Sequence, residues 1–131
     1  MSYLLDTNIV SLLARRHPKV VQRTFALAPS DLQMSVITEA ELLFGLAKRP
    51  AATTLRTTIE QLLRHIDVAP WDRAVAARYG VLRARMETRG QVLGSLDWLI
   101  AAHALERRAI LVTNDAAFSM VEDLVIEDWT R

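Results

Sequence analysis

Short apolar runs of strand length alternate with helix-length amphipathic segments along this chain. That alternation predicts an α/β fold, a parallel sheet covered by helices on both faces. Three observations support the assignment. Strand-length segments rich in apolar residues occur at 2–5, 32–36, 66–69 and 110–113; apolar residues recur at helical spacing between them; and no repeat, low-complexity stretch or linker divides the chain.

Ser2 to Leu5 reads as a buried first strand. Thr7 to about Arg16 reads as a helix with Ile9, Leu12 and Leu13 on one face, broken by His17-Pro18, and a short second helix runs to about Leu27. Ala28-Pro29-Ser30 is a turn, and Leu32 to Val36 a second strand. Ile37 to Lys48 is a helix stopped by Arg49-Pro50. Residues 52–64 form an amphipathic helix through Leu55, Ile59, Leu62 and Leu63, followed by a third strand at Ile66 to Ala69. Trp71 to Arg89 is a long helix carrying Val75, Tyr79, Leu82 and Met86 on one stripe, with Gly90 as its expected C-terminal cap. Ser95 is the expected N-cap of a helix from Leu96 to Arg107 that is apolar over most of its circumference and therefore expected at the centre of its layer. A fourth strand follows at Ile110 to Thr113, a short helical turn at Ala116 to Ser119, and a fifth, edge strand at Leu124 to Ile126.

With 131 residues and 51% hydrophobic composition the chain is sized for one domain with a substantial core. No run of 18 apolar residues predicts a membrane span, and the first residues, which meet an acid at position 6, do not read as a signal peptide. There is no cysteine, so disulfides and thiolate metal sites are excluded and a cytoplasmic location is expected. The net charge of +1 does not by itself call for a nucleic acid partner. Of the sixteen basic residues only Lys19 and Lys48 are lysines; arginine suits bidentate phosphate contacts, and equally a GC-rich genome.

Four acids fall where this topology would gather them. Asp6 and Asp115 directly follow the first and fourth strands, at the carboxyl edge where open α/β sheets bind ligands. Asp97 opens the apolar helix, and Glu41 lies in the helix after the second strand. Asp6, Asp97 and Asp115 each have a plain alternative role in capping or turns. Glu41, in mid-helix among Ala40, Leu42 and Leu43, is not explained by capping; a solvated helix face is its alternative, and Glu39, about 200° away around the helix, competes for the role. Two carboxylates 4 Å apart repel by roughly 4 kcal/mol at an effective dielectric near 20, so a cluster needs a cation, a shared proton or a cationic partner. Oxygen ligands without His or Cys suit Mg²⁺ or Mn²⁺.

Four stretches carry a family resemblance: Tyr3-Leu-Leu-Asp6-Thr-Asn8, Ser35-Val-Ile-Thr-Glu-Ala-Glu41-Leu-Leu-Phe-Gly45, Gly94-Ser-Leu-Asp97-Trp-Leu-Ile-Ala-Ala-His-Ala-Leu105 and Leu111-Val-Thr-Asn-Asp115-Ala-Ala-Phe118. In order and over almost the whole chain they resemble the PIN-domain ribonucleases, most closely the VapC toxins of toxin–antitoxin pairs and their FitB-like branch. The closing Val125-Ile-Glu-Asp-Trp129 is similar to the end of that family. The resemblance implies one PIN domain over residues 1–131, a three-layer α/β/α fold with five parallel strands in the order 3-2-1-4-5. It implies Asp6, Glu41 (rather than Glu39), Asp97 and Asp115 as the catalytic, metal-holding acids, Asp115 being the position that varies most among relatives. Asn8 and Thr113 would support them by hydrogen bonds. It further implies a Mg²⁺-dependent (or Mn²⁺-dependent) endoribonuclease cutting transfer or ribosomal RNA as a toxin that inhibits translation, a VapB-like antitoxin, a homodimer and a toxin–antitoxin hetero-oligomer.

Within the same family resemblance, a non-toxin RNA-processing nuclease or a non-catalytic binding module is the alternative. Two other acidic α/β folds fit poorly. A response-regulator receiver wants paired acids after strand one and a late lysine, and no lysine follows Lys48; a haloacid-dehalogenase-type phosphatase wants an acid where Asn8 stands. Trp98 reads as core packing, with base stacking the alternative, and His103 as a packed histidine. Arg15, Arg16, Arg78, Arg83, Arg85 and Arg89 are the candidates for phosphate contacts, each competing with a role on a solvated helix face.

Overall fold

The computed structural model describes residues 1–131. Strands β1 (Tyr3–Leu5), β2 (Leu32–Ser35), β3 (Asp67–Ala69), β4 (Ile110–Val112) and β5 (Ile126–Glu127) alternate with helices α1 (Thr7–Ala14), α2 (Pro18–Phe25), α3 (Val36–Ala47), α4 (Thr53–His65), α5 (Arg73–Thr88) and α6 (Ser95–Glu106). All neighbouring strands are parallel and the sheet order is β3-β2-β1-β4-β5, as the resemblance implies.

The period-two alternation of β1 creates the layers. Tyr3 and Leu5 point to one face, where they pack with Ile9, Met34, Leu46 and Trp129 under α1 to α4. Leu4 points to the other, into a core with Met86, Trp98, Leu111 and Phe118 under α5 and α6. Side-chain caps start four of the helices: Asp6 accepts from the Ile9 N–H at 2.9 Å, His17 Nδ1 from Val20 at 3.4 Å, Ser35 from Ile37 at 3.1 Å and Asp72 from Val75 at 3.0 Å. Gly90, at φ 74°, closes α5 as expected, with the N–H groups of Gly90 and Gln91 returning to the carbonyls of Glu87 and Met86.

Several boundaries differ from those the sequence predicts. Because the strand runs straight into the helix, Ser35 both ends β2 and caps α3, so Val36 is helical. Asp72 caps α5 and leaves Trp71 outside it. Gly94, not Ser95, is the N-cap of α6, and no side chain caps it; a Cβ at Gly94 would sit 3.3 Å from Asp97 Oδ2. The Ala28-Pro29-Ser30 turn is a 3₁₀ turn over Pro29–Asp31. The edge strand lies later than 124–126, because Ile126 and Glu127 register with Leu111 and Val112 while Leu124 packs on the α5–α6 core. Helix α6 is buried from Trp98 to Ala104 except at half-buried Leu99, but Leu96 in its first turn is exposed, since that end emerges at the carboxyl edge of the sheet. No helix is long and apolar enough to cross a membrane.

Candidate active site

Pairing of β1 with β4 sets the centre of the site. Leu5 registers with Val112, and the Asp6 N–H extends the ladder to the Val112 carbonyl at 3.0 Å, which places Asp6 beside Thr113 just past the strand ends. The turn after β4 supplies Asp115, the first turn of α6 supplies Asp97, and the second turn of α3 supplies Glu41. One small pocket is lined by all four acids together with Thr7, Asn8, Ile100 and Phe118. Glu39 does not line it, so the geometry makes the same choice between Glu39 and Glu41 as the family motif.

The four carboxylates stand in unequal environments. Asp6 is only 6% exposed, with one oxygen committed to the Ile9 N–H. Burial pushes its pKa up to about 6, against the hydrogen bonds from the Thr113 hydroxyl and the Ile9 N–H, and the charges of Asp97 and Asp115 add to the rise. Asp97 is half-buried and its pKa is also raised, first by burial, then by Asp115 and Glu41. Asp115 is exposed, with one oxygen capping a 3₁₀ turn through the Ala117 N–H at 2.9 Å. Glu41 is held from the side: Thr7 donates its hydroxyl proton to Glu41 Oε1 at 2.6 Å, with the buried Thr38 hydroxyl 3.3 Å from that of Thr7.

Of the two supporting residues expected, Thr113 is buried; its hydroxyl accepts from the Asp115 N–H at 3.0 Å and bonds Asp6, so it touches two of the acids. Asn8 is exposed and lines the pocket. Sequence reasoning missed Thr7 as the residue that holds Glu41. Its signal was present, a hydroxyl directly after a site acid, but only the crossing of α1 and α3 shows which carboxylate it meets.

No Lys, Arg or His lines this pocket, so the protein itself offers no cation to balance four carboxyl groups. The donor set is entirely oxygen, which fits a hard divalent ion. The acids surround the pocket rather than closing into a ready cage, for no three of them form a group that grips one ion as they stand.

The aromatic and histidine candidates resolve as packing. Trp98 is fully buried and cannot stack on a base. His103 is fully buried, its Nδ1 2.7 Å from the hydroxyl of Ser35, and its pKa is pushed down by burial and then by Arg107; it ties α6 to the start of α3.

The family model of the PIN domain matches residues 3–124. The tRNA(fMet)-specific endonuclease VapC of Shigella flexneri is 34% identical over 131 residues, 99% of each chain. Among solved structures, VapBC from Salmonella typhimurium bound to DNA superposes with a TM-score of 0.91 at 30% identity, covering 98% of both chains. VapBC-1 from nontypeable Haemophilus influenzae superposes at 0.88 and 33%, covering all of both.

Proposed function

The chain belongs to the PIN-domain family, and from that premise we propose that it is a Mg²⁺-dependent endoribonuclease, the toxin of a VapBC-type toxin–antitoxin pair acting in the cytoplasm, with all 131 residues forming one PIN domain. The observation that carries the reading is the pocket of four carboxylates with no cationic side chain in its lining. Relatives that match end to end are named as ribonucleases, the Shigella flexneri one as a tRNA(fMet)-specific endonuclease, which favours transfer RNA over ribosomal RNA as the substrate class.

Asp6, Glu41, Asp97 and Asp115 would hold the ion, with Mn²⁺ able to replace Mg²⁺. When bound, the ion supplies the charge that activates water and stabilises the transition state. The protein's own part is orientation. Thr7 fixes the Glu41 carboxylate, and Thr113 ties Asp6 to the backbone of Asp115. The Gly94 backbone leaves room for Asp97. The buried Asp6 must lose its proton before it can serve, so at limiting Mg²⁺ activity should rise with pH through about 6, and saturating Mg²⁺, which competes with that proton, should move the rise to lower pH. No side chain acts as nucleophile, and the 2′-hydroxyl takes no part. Products should therefore carry 5′-phosphate and 3′-hydroxyl ends, and excess chelator should stop cleavage until Mg²⁺ is restored. Sequencing of 5′-monophosphate ends after brief expression tests both the chemistry and the target. Products with 2′,3′-cyclic phosphates, or full activity in chelator, overturn the mechanism.

The VapBC complexes among the structural neighbours support a VapB-like antitoxin and a toxin–antitoxin hetero-oligomer for this chain. For the homodimer, α3 and α4 carry Leu43, Phe44, Leu46 and Leu55, of which Leu46 is core, Leu55 half-buried, and Leu43 and Phe44 exposed. Of the exposed pair on α3, Phe44 lies under the Lys48 ammonium, and Leu43 marks the surface we assign to self-association. Leu43→Asp should convert a dimer to a monomer in sedimentation velocity; an unchanged dimer places the interface elsewhere.

A further inference from the structure

The arginines singled out as candidate phosphate ligands separate into two groups in three dimensions. Arg78 pairs with Glu106 at 3.2 Å, Arg83 with Glu87 at 3.1 Å, and Arg85 and Arg89 with Glu122 at 3.8 and 2.9 Å. Those four lie on α5 or its end, and each has a carboxylate beside it, Arg85 and Arg89 sharing Glu122. Arg15 and Arg16 pair with no carboxylate, and neither do Lys48 and Arg49, which directly follow α3. Arg16 stands outside, whereas exposed Arg15, Lys48 and Arg49 line one groove of about 230 Å³ formed by α1, α3 and α4.

The groove leads out of the acidic pocket. Thr7 and Glu41 line both. On α1 the wall continues through Ser11 to Arg15, and on α3 through Gly45 to Lys48 and Arg49, each step about one helical turn. At 1.5 Å per residue, both walls pass from the carboxylate end to a cation in about 12 Å. Gly45 has no atom within 4 Å of where a Cβ would stand, so the α3 wall is open at its midpoint, although glycine is unfavourable inside a helix. Beyond it the Lys48 ammonium lies 5.2 Å over the Phe44 ring, at the groove's edge.

A polyanion brought to four carboxylates needs attraction from somewhere other than the reacting phosphate. We propose that Arg15, Lys48 and Arg49 bind backbone phosphates of the RNA strand on one side of the scissile linkage, the groove between α1 and α3 guiding that strand into the acidic pocket. This rests on the ribonuclease reading above and assigns the strand's path within it. RNA is favoured over a protein segment because the cations have no partners of their own and the groove is continuous with the reacting end.

The test measures fluorescence anisotropy of a labelled single-stranded oligoribonucleotide across a salt series, in an Asp97→Asn background that prevents cleavage. Arg15→Gln with Arg49→Gln should weaken binding roughly tenfold or more and reduce the slope of log K against log salt by about 1.4, close to 0.7 for each phosphate that no longer meets a cation. Arg85→Gln with Arg89→Gln removes the same charge from the far face and should leave both values unchanged. Lys48→Gln, at one exposed side chain, should lower the slope by about 0.7 and keeps the test intact if the double variant melts early. Groove variants that bind like the far-face control overturn the proposal. So do groove variants that keep RNA affinity and lose only affinity for an antitoxin, which would make the groove a protein-docking surface. A wild-type chain that neither binds nor cleaves RNA defeats the ribonuclease reading itself; one that cleaves RNA at a KM equal to that of Arg15→Gln with Arg49→Gln, built without Asp97→Asn, defeats only the strand path.

Discussion

Asp6→Asn is expected to remove RNA cleavage by roughly a thousandfold or more, and at the same time to make the metal-free protein more stable at pH 7. The two effects have one cause. The carboxylate occupies a buried position because the site needs a negative charge there, and folding works against that charge. Losing one ion-holding oxygen anion removes several kcal/mol of transition-state stabilisation, and each 1.36 kcal/mol is tenfold in rate. Asparagine still offers an oxygen to the Ile9 N–H, so α1 keeps its cap.

The stability gain follows from linkage. The folded pKa of Asp6 is about 6 against an ordinary 3.8. Between those values the native state holds a proton that the unfolded chain has released, so wild-type stability falls as pH rises from about 4 to about 6 and then levels. The fall is on the order of 3 kcal/mol. The Asp6→Asn side chain has no such proton, so the variant should match wild type near pH 4, exceed it at pH 7, and lose that lead when Mg²⁺ is added, because the ion stabilises only the wild type. Urea midpoints at pH 4 and 7, with and without Mg²⁺, measure this. A variant less stable than wild type at pH 7, or one that still cuts RNA, shows that the carboxylate does not have the role assigned to it.

Trp98→Ala should destabilise the fold by about 4 kcal/mol, since emptying a fully buried aromatic site removes its transfer free energy and leaves a cavity between α6 and the sheet. Domains of this kind have only about 5–15 kcal/mol in total, so the variant should sit near the threshold of unfolding at 37 °C. Trp98→Phe should cost less, because it keeps most of the ring and removes an indole N–H that has no hydrogen-bond partner. It should also leave RNA affinity untouched. Loss of RNA affinity in a Trp98→Phe variant of normal stability would return the indole to the substrate face and contradict its burial.

Much of the architecture was legible because it depends on local pattern. Strand runs with Leu4 and Leu5, helical stripes such as Val75, Leu82 and Met86, and the Gly90 stop are periodicities and backbone preferences that a linear sequence carries in full. The misplaced boundaries are those set by a partner elsewhere. Ser35 serves strand and helix together, Leu124 leaves the edge strand to pack on α5 and α6, and Gly94 rather than Ser95 starts α6 next to the Asp97 carboxylate. The acids were identified through motif and topology, and their spacing in the chain says nothing of their ionisation. That difference arises in three dimensions, where Asp6 is sealed under the β1–β4 ladder while Asp115 stays in solvent.

By itself the sequence determined the order of the elements and the arrival of four acids at one edge of the sheet, because strand direction, helix placement and side-chain chemistry are written residue by residue. Tertiary structure alone decided that Thr7 grips Glu41, that Arg78, Arg83, Arg85 and Arg89 lie beside glutamates, and that Arg15, Lys48 and Arg49 share a groove with Glu41. Those are distances between helices that cross. No spacing along the chain encodes such a distance until the core has packed and set where each helix lies.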